Sequence, residues 1–280
     1  MTASNQAHHG DPPPPDWGPP DERAGGQVLV RRAPGAVELS FNRPGKHNSF
    51  TDAIYAALLD LCAEVAGDRS VRVVVVRGEG GRAFAAGNDI SSFLGFTSGA
   101  DGVTYEAGIR RVLGALDALP QLTIAAIDGI CVGGGLAVAT MCDLRICTPA
   151  SRFGYPIART LGNALSAPIV LRCAAVFGDP VTREMLLASR LVTAERAYAV
   201  GAVLSVVAPG DLEAEVWSVI EGVRLAAPLT LETTKAQLRD GVAGYDPAAD
   251  DARLEAAYGS ADFAEGVRAF LAKEKPAFGG

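Results

Sequence analysis

Two glycine-rich segments contain the residues of this sequence whose types and spacing could support chemistry. The first, residues 78–83 (GEGGRA), follows a largely β-branched run at 71–76 and matches the G-x-G-x-x-A turn that binds dinucleotides. The second, residues 133–135 (GGG), lies between a predicted strand at 123–127 and a predicted helix that ends near Asp143. Free amides at a helix start favour an anion or a developing oxyanion, and glycine lets a ligand approach bare backbone. Tight packing alone would also explain the second segment.

Other motifs for nucleotide binding or nucleophilic catalysis are missing from the sequence. No strand ending in an acidic residue follows residues 78–83 at the distance a dinucleotide site needs, and neither G-K-[ST] nor G-x-S-x-G occurs. Apart from His8 and His9 near the N-terminus, His47 is the one histidine. A multi-histidine metal site is therefore excluded unless the N-terminus folds back, and a Ser-His-Asp or Cys-His mechanism would have to use His47.

Five segments in order and spacing resemble the enoyl-CoA hydratase/isomerase (crotonase) superfamily over about residues 27–278. They are residues 41–48 (FNRPGKHN), 81–90 (GRAFAAGNDI), 126–143 (AIDGICVGGGLAVATMCD), 193–201 (TAERAYAVG) and 262–276 (DFAEGVRAFLAKEKP). The resemblance implies an α/β fold, a crotonase-like spiral of ββα units with a C-terminal helical trimerisation region. It also implies assembly as a homotrimer or a hexamer.

The resemblance further implies an acyl-CoA thioester as substrate, with coenzyme A as part of that substrate and no separate cofactor or metal. The backbone N–H groups of Asn88 and Gly134 would form an oxyanion hole that stabilises a thioester enolate, where one donor is typically worth about 3 kcal/mol of barrier. The residues expected to contact the substrate or its CoA part are Arg43, Gly45, Lys46, Ala85, Ala86, Gly87, Asn88, Asp89, Ile90, Gly133 and Gly134.

The sequence departs from the family at both catalytic carboxylates. A typical hydratase has one glutamate two residues past the last glycine of the triplet and another after F-G-x-P, and these positions hold Ala137 and Ile157. Ordinary enoyl-CoA hydration is therefore doubtful, since it needs an acid/base pair. Tyr155, Arg159 and Glu106 are candidate replacements for the missing glutamates. Tyr155 could instead fill the pocket wall, Arg159 could form a structural ion pair, and Glu106 could lie on a solvated helix face.

The elements that must position these groups alternate along the chain. A strand is predicted over 36–41, an amphipathic helix follows with Ile54, Leu58, Leu61 and Val65 on its apolar face, and a strand is predicted over 144–147. Helices are predicted over 105–116, 168–175, 181–188, 193–200, 212–225, 229–239, 249–258 and 263–273, with a strand at 203–207. We divide the chain into a disordered Pro/Gly-rich leader (1–26), a spiral core (27–212) and a helical oligomerisation region (213–280).

Composition narrows the function classes. The chain has 280 residues, 49% hydrophobic and 20% charged, with a net charge of −7 at pH 7, which disfavours nucleic acid and anionic membranes as partners. Five cysteines without a C-x-x-C pair indicate buried reduced thiols, and no apolar run reaches about 18 residues, so a cytoplasmic protein is expected. The alternatives to an enolate-stabilising enzyme are a non-catalytic acyl-CoA-binding relative, a decarboxylase, isomerase or thioesterase using other residues, and a nicotinamide oxidoreductase.

Overall fold

Strands and helices alternate through the first two thirds of the computed structural model, which describes residues 17–243 and 247–279. The strands are β1 Asp21–Arg23, β2 Val28–Ala33, β3 Ala36–Phe41, β4 Val73–Gly78, β5 Ala83–Ala85, β6 Leu122–Ile127, β7 Ile130–Val132, β8 Leu144–Cys147, β9 Arg152–Gly154, β10 Val192–Thr193 and β11 Ser205–Val206. The helices are α1 Asp52–Ala66, α2 Gly99–Asp117, α3 Gly134–Met141, α4 Ile157–Thr160, α5 Ala167–Phe177, α6 Asp179–Leu187, α7 Ala194–Ala199, α8 Leu212–Arg224, α9 Pro228–Ala243, α10 Pro247–Tyr258 and α11 Ala261–Ala272.

The strands form two sheets. The larger has the order β1-β2-β3-β4-β6-β8-β11, antiparallel at the β1-β2-β3 edge and parallel from β3 onward. The smaller has the order β10-β9-β7-β5, in which β9-β7-β5 are parallel. Parallel neighbours need crossovers, and the chain supplies them with α1, α2 and α3. The predicted α/β class is confirmed.

The larger sheet is buried on both faces because its central strands are apolar at successive positions. Val74 and Val76 belong to the main core beneath α1, α2 and α3, whereas Val73 and Val75 point to the other face. On that other face they meet Trp217 and the apolar residues of α8. Helix α8 therefore covers this face of the sheet, and the predicted division at residue 213 stays a prediction.

The N-terminal segment also differs from the prediction where the structure describes it. Residues 1–16 lie outside the described residues, but residues 21–23 form β1 against β2. Trp17 packs on Trp217 with ring centroids 5.0 Å apart, and its Nε1 donates to Glu213 of α8 at 2.7 Å. A leader extending to residue 26 is therefore incorrect, because an aromatic anchor and a strand pairing hold its last ten residues.

All five cysteines are buried and free, as predicted. Burial raises the pKa of Cys62, Cys142 and Cys147 to about 12, and it also raises the pKa of Cys131 and Cys173. The thiols are therefore packing groups that stay protonated at neutral pH. Within the part of the chain described here, no helix is both long and apolar enough to cross a membrane.

Candidate active site

The backbone around Asn88 and the backbone around Gly134, which were predicted to supply the oxyanion hole, meet in the structure. Gly87 (φ +96°) and Gly133 (φ +54°) have left-handed backbone conformations, and a Cβ on Gly133 would lie 3.2 Å from the Cα of Gly87. Glycine is required at both positions because a side chain would strain the backbone and separate the two segments. The glycines thus bring the peptide groups of Asn88 and Gly134 to the same place.

The Asn88 peptide is held from both sides by Phe50. The Phe50 N–H donates to the Gly87 carbonyl at 2.8 Å, and the Asp89 N–H donates to the Phe50 carbonyl at 2.7 Å. The Asn88 N–H takes no part in this pairing. Among the hydrogen bonds of the described residues, none is donated by the Asn88 N–H or by the Gly134 N–H at the start of α3. Two fixed, adjacent backbone donors can stabilise an oxyanion.

Helix α3 is anchored at the end opposite the site. It has eight residues, all buried, and its last carbonyls accept hydrogen bonds from two arginines. Arg145 of β8 donates to the Cys142 carbonyl at 2.7 Å and to the Ala139 carbonyl at 3.3 Å, and Arg172 of α5 donates to the Thr140 carbonyl at 2.8 Å. The two cations satisfy the orphan carbonyls and offset the negative end of the helix dipole.

We expect Arg145→Met to lower the free energy of unfolding by about 3 kcal/mol, because several buried carbonyls lose their donor. Arg172→Met is the matched control: Arg172 is more exposed and donates to one α3 carbonyl, so its loss should be near 1 kcal/mol. Urea unfolding at unchanged m-value measures both. Equal, small losses would show that Arg145 does not secure α3.

The segment before α1 forms the rim of the site. Arg43 donates to the Ser49 carbonyl at 2.6 Å and to Asp89 Oδ2 at 3.0 Å, so its guanidinium ties this segment to the Asn88 loop. Asn48 is buried and donates to the carbonyls of Glu79 and Ala83. The Arg43 side chain therefore links two loops, and the CoA contact expected for it stays a prediction.

The other residues predicted to contact CoA are spread over both exposed and buried positions. Gly45 and Lys46 lie in an exposed 3₁₀ turn, and Ile90 is exposed at the start of another. Ala85 is buried in β5, and the Ala86 N–H donates to the His47 carbonyl at 2.9 Å. Among the residues predicted to contact CoA, Lys46 is thus an exposed cation that could contact a phosphate group.

Residues 78–83 do not form a dinucleotide turn. The glycines lead into strand β5, whereas a dinucleotide turn opens a helix whose N-terminus binds the pyrophosphate. Their carbonyls at Glu79 and Ala83 accept hydrogen bonds from Asn48 and so shape the site's rim. The dinucleotide-binding interpretation of residues 78–83 is therefore contradicted by the local structure.

An apolar cavity of about 660 Å³ lies between residues 93–110 and residues 161–166, and Tyr105 in its wall also interacts with the Asn88 side chain. Phe93, Phe96 and Tyr105 form one aromatic wall with edge contacts between their rings. Glu106 contributes the one carboxylate among the described residues that line the cavity, and its Oε2 accepts from the Ser166 N–H at 2.9 Å. The cavity can hold an acyl chain, and one oxygen of Glu106 is left for proton transfer.

The remaining predicted groups have different outcomes. Ala137 is buried in α3 and Ile157 starts α4, so neither position supplies a carboxylate. Tyr155 is 0% exposed and does not line the cavity, so its role as general acid stays a prediction. Burial, followed by Cys173 and Cys131, raises the pKa of its hydroxyl. Arg159 is exposed on α4 and has no ion pair among the described side chains.

Sequence reasoning missed two residues that structure the site, Tyr55 and Arg145. Tyr55 lies three residues before Leu58 and seven before Cys62, which places it on the buried face of α1. A buried tyrosine requires a partner for its hydroxyl, and this was the available signal. For Arg145 the signal was a lone cation in an apolar strand, residues 144–147 (LRIC).

The comparisons with known proteins agree on one family. The model for enoyl-CoA hydratase/isomerase matches residues 31–280. A putative enoyl-CoA hydratase of Thermus thermophilus is 31% identical over 259 residues, which cover 89% of this chain and 100% of that protein. The (E)-benzylidenesuccinyl-CoA hydratase of Thauera aromatica is 32% identical over 86% of this chain and 94% of its own length.

Solved structures give the same result. The crystal structure of an enoyl-CoA hydratase/carnithine racemase from Magnetospirillum magneticum superposes with a TM-score of 0.84, at 31% identity over 90% of this chain and 95% of that one. A putative enoyl-CoA hydratase/isomerase family protein from Hyphomonas neptunium gives 0.83 at 28% identity, over 90% of this chain and 97% of its own. These neighbours confirm the predicted crotonase-like fold.

Proposed function

Because the chain belongs to the enoyl-CoA hydratase/isomerase family, we propose that it binds an acyl-CoA thioester and stabilises the enolate of its acyl group. The observation that carries this proposal is the pair of unengaged backbone donors, the Asn88 N–H and the Gly134 N–H, where residues 87–88 meet residues 133–134. As the α-proton leaves, negative charge moves onto the thioester oxygen, which these donors would stabilise. The CoA phosphates would lie near the exposed Lys46.

We propose that Glu106 is the acid/base group and that the reaction is isomerisation of a double bond. A carboxylate removes a proton from the α-carbon of a β,γ-enoyl thioester, and the electron pair is delocalised as a dienolate. The carboxylic acid then returns the proton to the γ-carbon, which leaves an α,β-enoyl thioester. Hydration would instead use two groups, one to activate water and one to protonate the α-carbon, and the described lining of the cavity holds one carboxylate.

The test compares two thioesters on the wild-type protein, a β,γ-hexenoyl-CoA and crotonyl-CoA. We expect the conjugated-thioester absorbance of the first to rise with enzyme-dependent kinetics, and that of the second to fall much more slowly. If hydration is faster than isomerisation, the proposal that the reaction is an isomerisation with Glu106 as its one acid/base carboxylate is wrong. Binding of both thioesters without turnover would identify a non-catalytic acyl-CoA-binding protein.

We also propose that the chain assembles as a homotrimer or a hexamer of two trimers and acts in the cytoplasm. Large apolar side chains stay exposed on the C-terminal helices, including Leu238 of α9, Tyr258 of α10 and Leu271 of α11. Burial of such surface in contact with other subunits is the usual outcome when it recurs over neighbouring helices. Sedimentation equilibrium measures the number of chains.

A further inference from the structure

A buried tyrosine holds the side chain of Asn88 in place. The Tyr55 hydroxyl of α1 donates to Asn88 Oδ1 at 2.7 Å, and the Tyr55 ring packs edge-on against Phe50 with centroids 5.2 Å apart. Phe50 is also the residue whose backbone pairs with both neighbours of Asn88. The carboxamide is therefore fixed by the same packing that fixes the Asn88 peptide.

The fixed carboxamide lies directly against the second backbone donor. A Cβ on Gly134 would lie 2.4 Å from Asn88 Oδ1 and 2.7 Å from the Tyr55 hydroxyl oxygen. These distances place the Asn88 side chain over the Cα of Gly134, next to the Gly134 N–H. Residue 134 must be glycine for this contact, because any side chain would displace the carboxamide.

The direction of the hydrogen bond is set by the protonation of Tyr55. Burial, followed by the nearby Tyr105, Glu106 and Asp52, raises the pKa of the Tyr55 hydroxyl well above its ordinary value. The Tyr55 hydroxyl is therefore protonated and donates to Asn88 Oδ1. The amide nitrogen Nδ2 of Asn88 points away from Tyr55. Burial also raises the pKa of Tyr105, while the amide of Asn88 acts in the opposite direction. Nδ2 thus points away from Tyr55 and toward Tyr105, a residue of the cavity wall.

We propose that the side-chain N–H of Asn88 is a third donor of the oxyanion hole and that Tyr55 is the positioning residue that aims it. This inference rests on the proposed function, because the charge that the third donor meets is the enolate oxygen. A fixed amide donor needs no reorientation as charge develops, so its interaction with the enolate exceeds that with the neutral thioester. It would compensate in part for the missing carboxylates at Ala137 and Ile157.

The experiment measures the ionisation of bound acetoacetyl-CoA, whose enolate absorbs in the near ultraviolet. We expect wild-type protein to lower the apparent pKa of this ligand, and Asn88→Ala to weaken binding of the enolate by roughly 10-fold or more, as for a hydrogen bond to a charged group. Tyr55→Phe should give a smaller loss of the same kind. Affinity for butyryl-CoA, which forms no enolate under these conditions, should change less than about 2-fold in both variants.

A double variant separates positioning from packing. If Tyr55 acts through Asn88, adding Tyr55→Phe to Asn88→Ala should cause little further loss of enolate binding. Additive losses, or equal losses for butyryl-CoA and enolate, would overturn the proposal and leave Tyr55 and Asn88 as packing residues. Wild-type protein that binds acetoacetyl-CoA without lowering its pKa would instead overturn the oxyanion hole itself, and thereby the proposed function.

Discussion

Gly134→Pro is expected to lower kcat/KM for the thioester reaction by roughly 100- to 1000-fold, because it deletes one of the two backbone donors to the developing enolate. Proline is tolerated at the first position of a helix, where its missing N–H breaks no helical hydrogen bond. Gly134 is that first position of α3. The helix should therefore survive while the site loses its donor.

The new Cβ needs a control, since it would collide with the side chains of Asn88 and Tyr55. Gly134→Ala adds the same carbon and keeps the N–H. Both substitutions are best compared in the Asn88→Ala, Tyr55→Phe background, which removes the two atoms that a Cβ would meet first. The ratio of kcat/KM between the alanine and proline variants then measures the contribution of the Gly134 N–H. A ratio near unity would show that Gly134 donates nothing to the transition state.

Glu106→Gln should reduce isomerisation by roughly 100- to 10,000-fold, the range expected when a general acid/base group is lost. Glutamine retains a side-chain oxygen that can accept from the Ser166 N–H, as Glu106 does at the start of α5. The variant should therefore unfold at nearly the wild-type urea concentration, and its affinity for butyryl-CoA should not change.

Glu106→Ala serves as the comparison, because it removes the carboxylate and the acceptor together. We expect it to match glutamine in activity and to lose about 1 kcal/mol more in stability, for the unpaired amide. If glutamine retains most of the wild-type rate, the carboxylate is a helix cap only. The base would then have to be sought among groups outside the cavity lining.

The backbone of the candidate site was predictable because glycine leaves a strong signature. Positive φ values at Gly87 and Gly133 can be met at low cost by this residue, and two such segments in the right order identify a junction. The strands of the larger sheet that have four or more apolar-rich residues, such as β4 and β8, were equally visible. In each case a local constraint acts strongly on residue type.

The second sheet was invisible for the opposite reason. Its four strands have only two or three residues each, too few for any periodicity to appear. The cap of α1 is Thr51, whose side chain accepts from the Ile54 N–H at 3.3 Å. Such features are decided by tertiary contacts, and Arg31 of β2 (VLVRRA) likewise pairs with Glu38 of β3 and with Glu79, which follows β4.

Replacement of the catalytic groups could not be resolved from spacing alone. Tyr155 lies in the F-G-x-P motif, two residues before Ile157 at the position of a missing carboxylate, yet its side chain is buried in the core. Glu106 lies fifty-one residues before Ile157 in the sequence, yet it lines the acyl cavity from another helix. Proximity in sequence is a poor guide where several elements converge on one site.

The contact between Trp17 and Trp217 makes the intrinsic fluorescence of this protein selective. These are the chain's two tryptophans, and neither lines the acyl cavity. Tryptophan emission therefore reports on one contact, between the N-terminal segment and α8. Binding of an acyl-CoA in the cavity should change this emission very little. A ligand titration that moves this signal would reveal a response transmitted across the large sheet.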